Sequence, residues 1–104
     1  MEKLIEEIKK MNKERGWGKY HTPENLAKSI SIEAAELLEC FQWDGENYNK
    51  QDVYDELADV FTYCIQMAIT LNVNPKEIIL QKLEKTKKKY PVEKSIQNDW
   101  KKFN

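Results

Sequence analysis

Four acidic side chains stand in two matching phrases, Glu33-Ala34-Ala35-Glu36 and Glu56-Leu57-Ala58-Asp59. Acids three residues apart project from one side of a helix. At about 100° per residue, Glu33 falls in the middle of the arc that holds Leu26, Ile30, Leu37 and Phe41, with Glu36 at its edge. Glu56 falls in the same way among Val53, Val60, Met67 and Leu71, flanked by Asp59. A carboxylate where a buried helix wants leucine cannot stay ionised and unpaired, because desolvation costs several kcal/mol per ion even after relaxation. A cation held between the two pairs resolves the conflict. Glu39 and Asp55 lie outside the arcs and read as solvated, and Asp52 is intermediate.

Oxygen-only ligands suit a hard cation, magnesium or in its place manganese. The single histidine, His21, and the absence of a Glu-x-x-His phrase disfavour a bundle-type di-iron centre. Magnesium on a few carboxylates keeps open positions that substrate phosphates fill, so the pattern points to a phosphate ester or nucleotide. Such an ion offsets charge on the phosphate oxygens and activates a water. Glu33 or Glu36 is the expected acceptor of that water's proton. The plain alternative is a set of solvated acids that meet lysines across a helical interface.

Helical elements are expected to position these acids. Leu4, Ile5, Ile8 and Met11 have helical spacing from residue 2 to about 15, with acids early and bases late, and Gly16 stops the run. Thr22-Pro23-Glu24 reads as the start of a second helix reaching about Gln42, closed by Asp44-Gly45. Asn49 caps a third, from about Lys50 to Asn72, the most apolar and the expected centre of the fold. Asn74-Pro75-Lys76-Glu77 opens a fourth that ends at Tyr90-Pro91. No stretch alternates with a period of two. The expected fold is all-α, a four-helix antiparallel bundle in which the second and third helices face each other. Residues 1–104 read as one domain, with a tail from about residue 92 whose Ile96, Trp100 and Phe103 are apolar enough to dock on this chain or a neighbouring subunit.

Composition narrows the partners. A chain of 104 residues that is 40% apolar and 34% charged has little to build a core from, which suggests completion by a second copy. A net charge of -1 argues against nucleic acid polymers. No run approaches the ~20 apolar residues of a membrane span, and Met1-Glu2-Lys3-Leu4 lacks a secretory h-region, so a cytoplasmic location is expected. Cys40 and Cys64, in apolar helical stretches without C-x-x-C spacing, read as small core residues in a reducing compartment.

The chain resembles the MazG-like all-α nucleoside triphosphate pyrophosphohydrolases, in particular the dCTP pyrophosphatase type. The resemblance rests on Arg15-Gly16-Trp17 with His21, on Pro23 and Asn25-Leu26, and on Glu33-Ala34-Ala35-Glu36-Leu37 continuing to Phe41-Gln42-Trp43. It extends through Glu56-Leu57-Ala58-Asp59-Val60 with Tyr63, and Lys82 leading to Lys89-Tyr90-Pro91. It implies magnesium-dependent cleavage of a nucleoside triphosphate between the α and β phosphates, releasing pyrophosphate, with Glu33, Glu36, Glu56 and Asp59 as metal ligands. dCTP or a modified pyrimidine analogue is the implied substrate, and control of the nucleotide pool the implied role. It implies a homodimer or homotetramer whose sites draw on more than one subunit.

By the same resemblance Trp17 and His21 hold base or sugar, where an indole stacks on any base; a loop tryptophan packed on its neighbouring helix is the alternative. Trp43 lines that pocket or seals the end of the second helix, and Tyr63 contacts sugar or phosphate or is a buried core tyrosine. Lys82, Lys85 and Lys89 offer cations to the phosphates, in a run that otherwise reads as a solvated face. The family commonly has asparagine at the position of Thr86 and arginine at that of Lys89. A hydroxyl and an ammonium cannot reproduce those hydrogen bonds. A nucleotide-binding module with little turnover is the second functional reading.

Overall fold

The computed structural model describes residues 1–93. Ile96, Trp100 and Phe103, read above as docking positions, lie outside the described residues. Regular structure among the described residues is helical: α1 Glu2–Arg15, a short 3-10 turn Gly18–Tyr20, α2 Pro23–Glu39, α3 Lys50–Thr70 and α4 Pro75–Lys89.

Local chemistry sets most of these boundaries. Thr22, Asn49 and Asn74 each accept a hydrogen bond from the backbone N–H three residues on, at Asn25, Asp52 and Glu77. Each cap satisfies one of the donors a helix start leaves open. Proline follows the cap in α2 and α4, where its missing N–H costs nothing. Gly16 ends α1 at φ 64, a left-handed conformation that suits a residue without Cβ.

Two ends differ from the reading of the sequence. α2 stops at Glu39 rather than Gln42, because the chain tightens to i→i+3 bonds, from Cys40 N to Leu37 O, Phe41 N to Leu38 O and Gln42 N to Glu39 O. α3 stops at Thr70 rather than Asn72. Asn72 turns to φ 54, and Val73 N reaches back to Ala68 O, a Schellman closure.

The chain divides into two compact units, Met1–Val73 and Asn74–Asn104. In the first, α3 is central, since α2 and α1 both pack on it. α2 runs antiparallel to α3. Thr70 Oγ1, at the end of α3, donates to the His21 carbonyl just before α2 begins, while Glu33 meets Glu56 and Asp59 farther back along α3. The C-terminal ends of α1 and α3 adjoin, because Asn12, Lys13 and Gly16 line one cavity with Ile69 and Thr70. The second unit carries α4.

The buried apolar side chains among the described residues are Ile8, Leu26, Ile65 and Ala68 in the first unit and Pro75 in the second. Two expectations about the core fail. Leu71 lies past the last helical residue and is exposed, and Cys64 is exposed on α3 while Cys40 is half-buried, both as free thiols. Large apolar side chains stay open instead, Ile32 and Leu38 on α2 and Tyr54, Leu57 and Phe61 on α3.

Candidate active site

The antiparallel pairing of α2 and α3 brings the two acidic phrases face to face. One oxygen each from Glu33, Glu56 and Asp59 lie within 4.8 Å of one another. Glu33 and Glu56 are half-buried, and Asp59 is exposed. The Oε2 atoms of Glu33 and Glu56 are buried and meet no hydrogen-bond donor.

Glu36 falls outside that trio yet adjoins two of its members. A hydrogen bond shared with Glu36, then burial and the charges of Glu36, Asp59 and Glu56, push the Glu33 carboxyl up to about 7. Burial, followed by the hydrogen bond and charge of Glu36, raises Glu56 as well. Crowded, partly buried carboxylates with no opposing charge beside them suit a cation held between them. Two donor-less buried oxygens and an all-oxygen ligand set therefore fit a hard divalent ion such as magnesium or manganese.

Cys40 borders this cluster without having been legible as its neighbour. Burial and the charges of Glu56 and Asp52 raise its thiol, whose Sγ lies 3.6 Å from the Glu36 carbonyl. Glu39, Asp52 and Asp55 are exposed; Asp55 accepts from Gln51 Nε2 at 2.8 Å.

From the acids a line of polar residues runs along α3. Asp59, Tyr63, Gln66 and Thr70 follow at intervals of four, three and four, which keeps them on one face. They pass from exposed through half-buried Tyr63 to buried Gln66. Beyond them a cavity of about 530 Å³ is lined by Lys9, Asn12, Lys13, His21, Ile69 and Thr70, together with glycines 16 and 18 and Lys19. His21 thus lies at the far end of α3 from the acids. Asn12 and Gln66 are buried polar residues that sequence reasoning passed over. The available signal was an amide side chain inside the most apolar stretch of α3.

The other candidates scatter. Trp17 is partly exposed, with the Arg15 guanidinium 5.7 Å from its ring centre. Trp43 is 89% exposed and does not seal α2; Phe41 and Tyr48 meet edge to face at 4.7 Å just beyond it. Lys82, Lys85 and Lys89 are exposed on one side of α4, in the second unit. Lys89 stands 5.5 Å from the Tyr90 ring centre, and Thr86 donates to the Lys82 carbonyl.

The profile of the MazG-like family matches residues 28–103. The chain belongs to the MazG-like family. It is 30% identical over 103 residues to dCTP pyrophosphatase 1 of Homo sapiens and 27% identical over 104 residues to that of Mus musculus. These alignments cover 86% and 88% of this chain and 61% of either relative, so the chain spans about three fifths of the length of the curated relatives it matches. The crystal structure of a pyrophosphatase from Archaeoglobus fulgidus superposes with a TM-score of 0.79 at 42% identity, covering 88% of this chain and 92% of that one. No helix among the described residues is long and apolar enough to cross a membrane.

Proposed function

We propose that this MazG-like chain is a nucleoside triphosphate pyrophosphohydrolase that cleaves a deoxynucleoside triphosphate, of the dCTP type or a modified pyrimidine analogue, to monophosphate and pyrophosphate. The observation that carries the proposal is the convergence of Glu33, Glu56 and Asp59, with two buried carboxylate oxygens left without a donor. The likeness to enzymes named for dCTP and to a pyrophosphatase structure supports the choice of reaction. A family match over residues 28–103, which enters both compact units, supports one catalytic domain over that range, and this reading extends it to residues 1–104.

In this reading Glu33, Glu56 and Asp59 hold magnesium or manganese, which supplies charge compensation for the phosphates and a more acidic water. Glu36, beside two ligands but outside the trio, takes the proton of the attacking water; Glu33 is the second candidate for that role. Half-burial of Glu33 and Glu56 keeps bulk water from screening the charges they place. Tyr63, one turn beyond Asp59, orients the sugar.

A second copy of the chain completes the enzyme in this proposal. Trp17 precedes α2 and Trp43 follows it, and a 17-residue helix is about 26 Å long. Both indoles reach one nucleobase only if they come from different protomers. The open apolar surface of Ile32, Leu38, Tyr54, Leu57 and Phe61 offers an interface for such pairing.

The reaction is tested by incubating the protein with each common ribo- and deoxynucleoside triphosphate plus magnesium, and separating the products. Monophosphate with pyrophosphate is the expected pair. Diphosphate with orthophosphate would mean the wrong bond, and saturable binding without products would mean a nucleotide-binding module.

A further inference from the structure

Gln66 stands among Ile65, Met67 and Ala68, is 4% exposed, and its Oε1 meets no donor. Across the packing of α1 on α3, Asn12 is 9% exposed and its Oδ1 is equally unpaired. A buried amide oxygen without a donor forfeits hydrogen bonds that water would give it in the unfolded chain. Two such oxygens in the same helix pairing call for a group that brings N–H or O–H to them.

Their position says which group. Gln66 lies seven residues from Asp59 on the same face of α3, roughly 10 Å along the axis, with Tyr63 between them. That is about the reach from the α-phosphate of a nucleotide to the far edge of its base. Asn12 lines the cavity that also takes in His21 and Thr70, and Thr70 is one turn beyond Gln66. A nucleotide laid along α3 with its phosphates at the acids would bring its base to the two amides.

The geometry points to Gln66 and Asn12 as specificity-determining residues that read an exocyclic amino group on the substrate's base. The inference rests on the nucleotide reading above and names two residues that reading does not use. The amino group of a cytosine-type base donates to the paired oxygens and relieves their missing hydrogen bonds. The keto oxygen of uracil at the same place would set acceptor against acceptor for amides in the orientation they hold here. The polar pair thus selects by the penalty on the wrong base as much as by the bond to the right one.

The test compares dCTP with dUTP, which differ at this group and in the proton on the adjoining ring nitrogen, by calorimetric binding to the wild-type chain, Gln66→Met and Asn12→Leu in magnesium buffer. Wild type is expected to bind dCTP roughly tenfold or more tighter than dUTP. Either variant should weaken dCTP toward the dUTP value while leaving dUTP little changed. Equal binding of the two by wild type, no binding of either, or an unchanged ratio in both variants would overturn the inference. An unchanged ratio with an altered melting temperature would assign the amides to a buried water. Pyrophosphate release, followed separately, keeps the two readings apart: base discrimination without release would sink the proposed reaction and leave the amide pair standing.

Discussion

Glu33 on α2 and Glu56 on α3 each bury a carboxylate oxygen that no donor reaches, and both belong to one cluster of oxygens within 4.8 Å. In a chain with lysines to spare, none forms an ion pair with either acid among the described residues. The repulsion is a cost to the folded chain that a bound cation would remove.

Replacing Glu33 with glutamine keeps the volume and removes the charge. Pyrophosphate release should fall by at least ~100-fold, since loss even of an outer-shell partner of a metal typically costs 10–100-fold. The metal-free melting temperature at pH 8 should stay level or rise. A variant that hydrolyses at the wild-type rate would remove Glu33 from the site.

Stability without metal should depend on pH in a direction set by Glu33. Its folded-state pKa is raised from 4.5 to about 7, so between these values the folded chain holds a proton that the unfolded chain has lost. The contribution is whole below about 4.5 and disappears as pH rises through 7. Melting in chelator should therefore occur at lower temperature at pH 8 than at pH 5, with a flatter profile for Glu33→Gln. Asp44 acts oppositely, held low by hydrogen bonds from the Asn47 side chain and then from the backbone N–H groups of Glu46 and Asn47. Its contribution is lost only as pH falls below its ordinary value of 3.8, outside the window measured. A melting temperature that rises from pH 5 to pH 8 would contradict the account of the cluster.

Much of this fold was legible because its signals are local. Thr22-Pro23, Asn49 and Asn74-Pro75 place three helix starts through the chemistry of a few atoms each. The convergence of Glu33 with Glu56 and Asp59 was legible from period alone, since an acid at the centre of an apolar arc must face the neighbouring helix. The end of α2 was not, because the change to i→i+3 bonding needs no special residue. Nor was the exposure of Cys64 and Leu71: hydropathy does not distinguish a side chain that faces its own core from one left open. Asn12 and Gln66 escaped notice because a lone amide on a helix ordinarily faces water. Trp17 and Trp43 read as parts of one pocket, whereas they flank opposite ends of α2.

Phe61 is 59% exposed in the middle of α3, on the side away from the acids. Phe61→Glu should shift the chain to a smaller species in sedimentation and lower its activity, because a charge in an apolar interface is left unpaired. A wild-type chain that sediments as a monomer while fully active would refute completion of the site by a second copy.

Asn49 caps the helix that carries Glu56 and Asp59. Asn49→Ala should cost about 1 kcal/mol of stability, a drop of roughly 4–8 °C in melting temperature for a domain of this size. The turnover of the folded chain should change little. A large loss of turnover with no thermal shift would mean that Asn49 touches substrate.

If one acidic cluster both holds the cation and supports hydrolysis, metal occupancy and turnover depend on the same side chains. The most direct measurement titrates manganese into the wild-type chain and into Glu56→Gln, following bound metal by electron paramagnetic resonance and pyrophosphate release on the same samples. Metal occupancy and release should rise together in the wild type, and both should be lost in a variant that remains helical. Release that persists at the wild-type rate in Glu56→Gln, or in wild type held in chelator, would contradict the account.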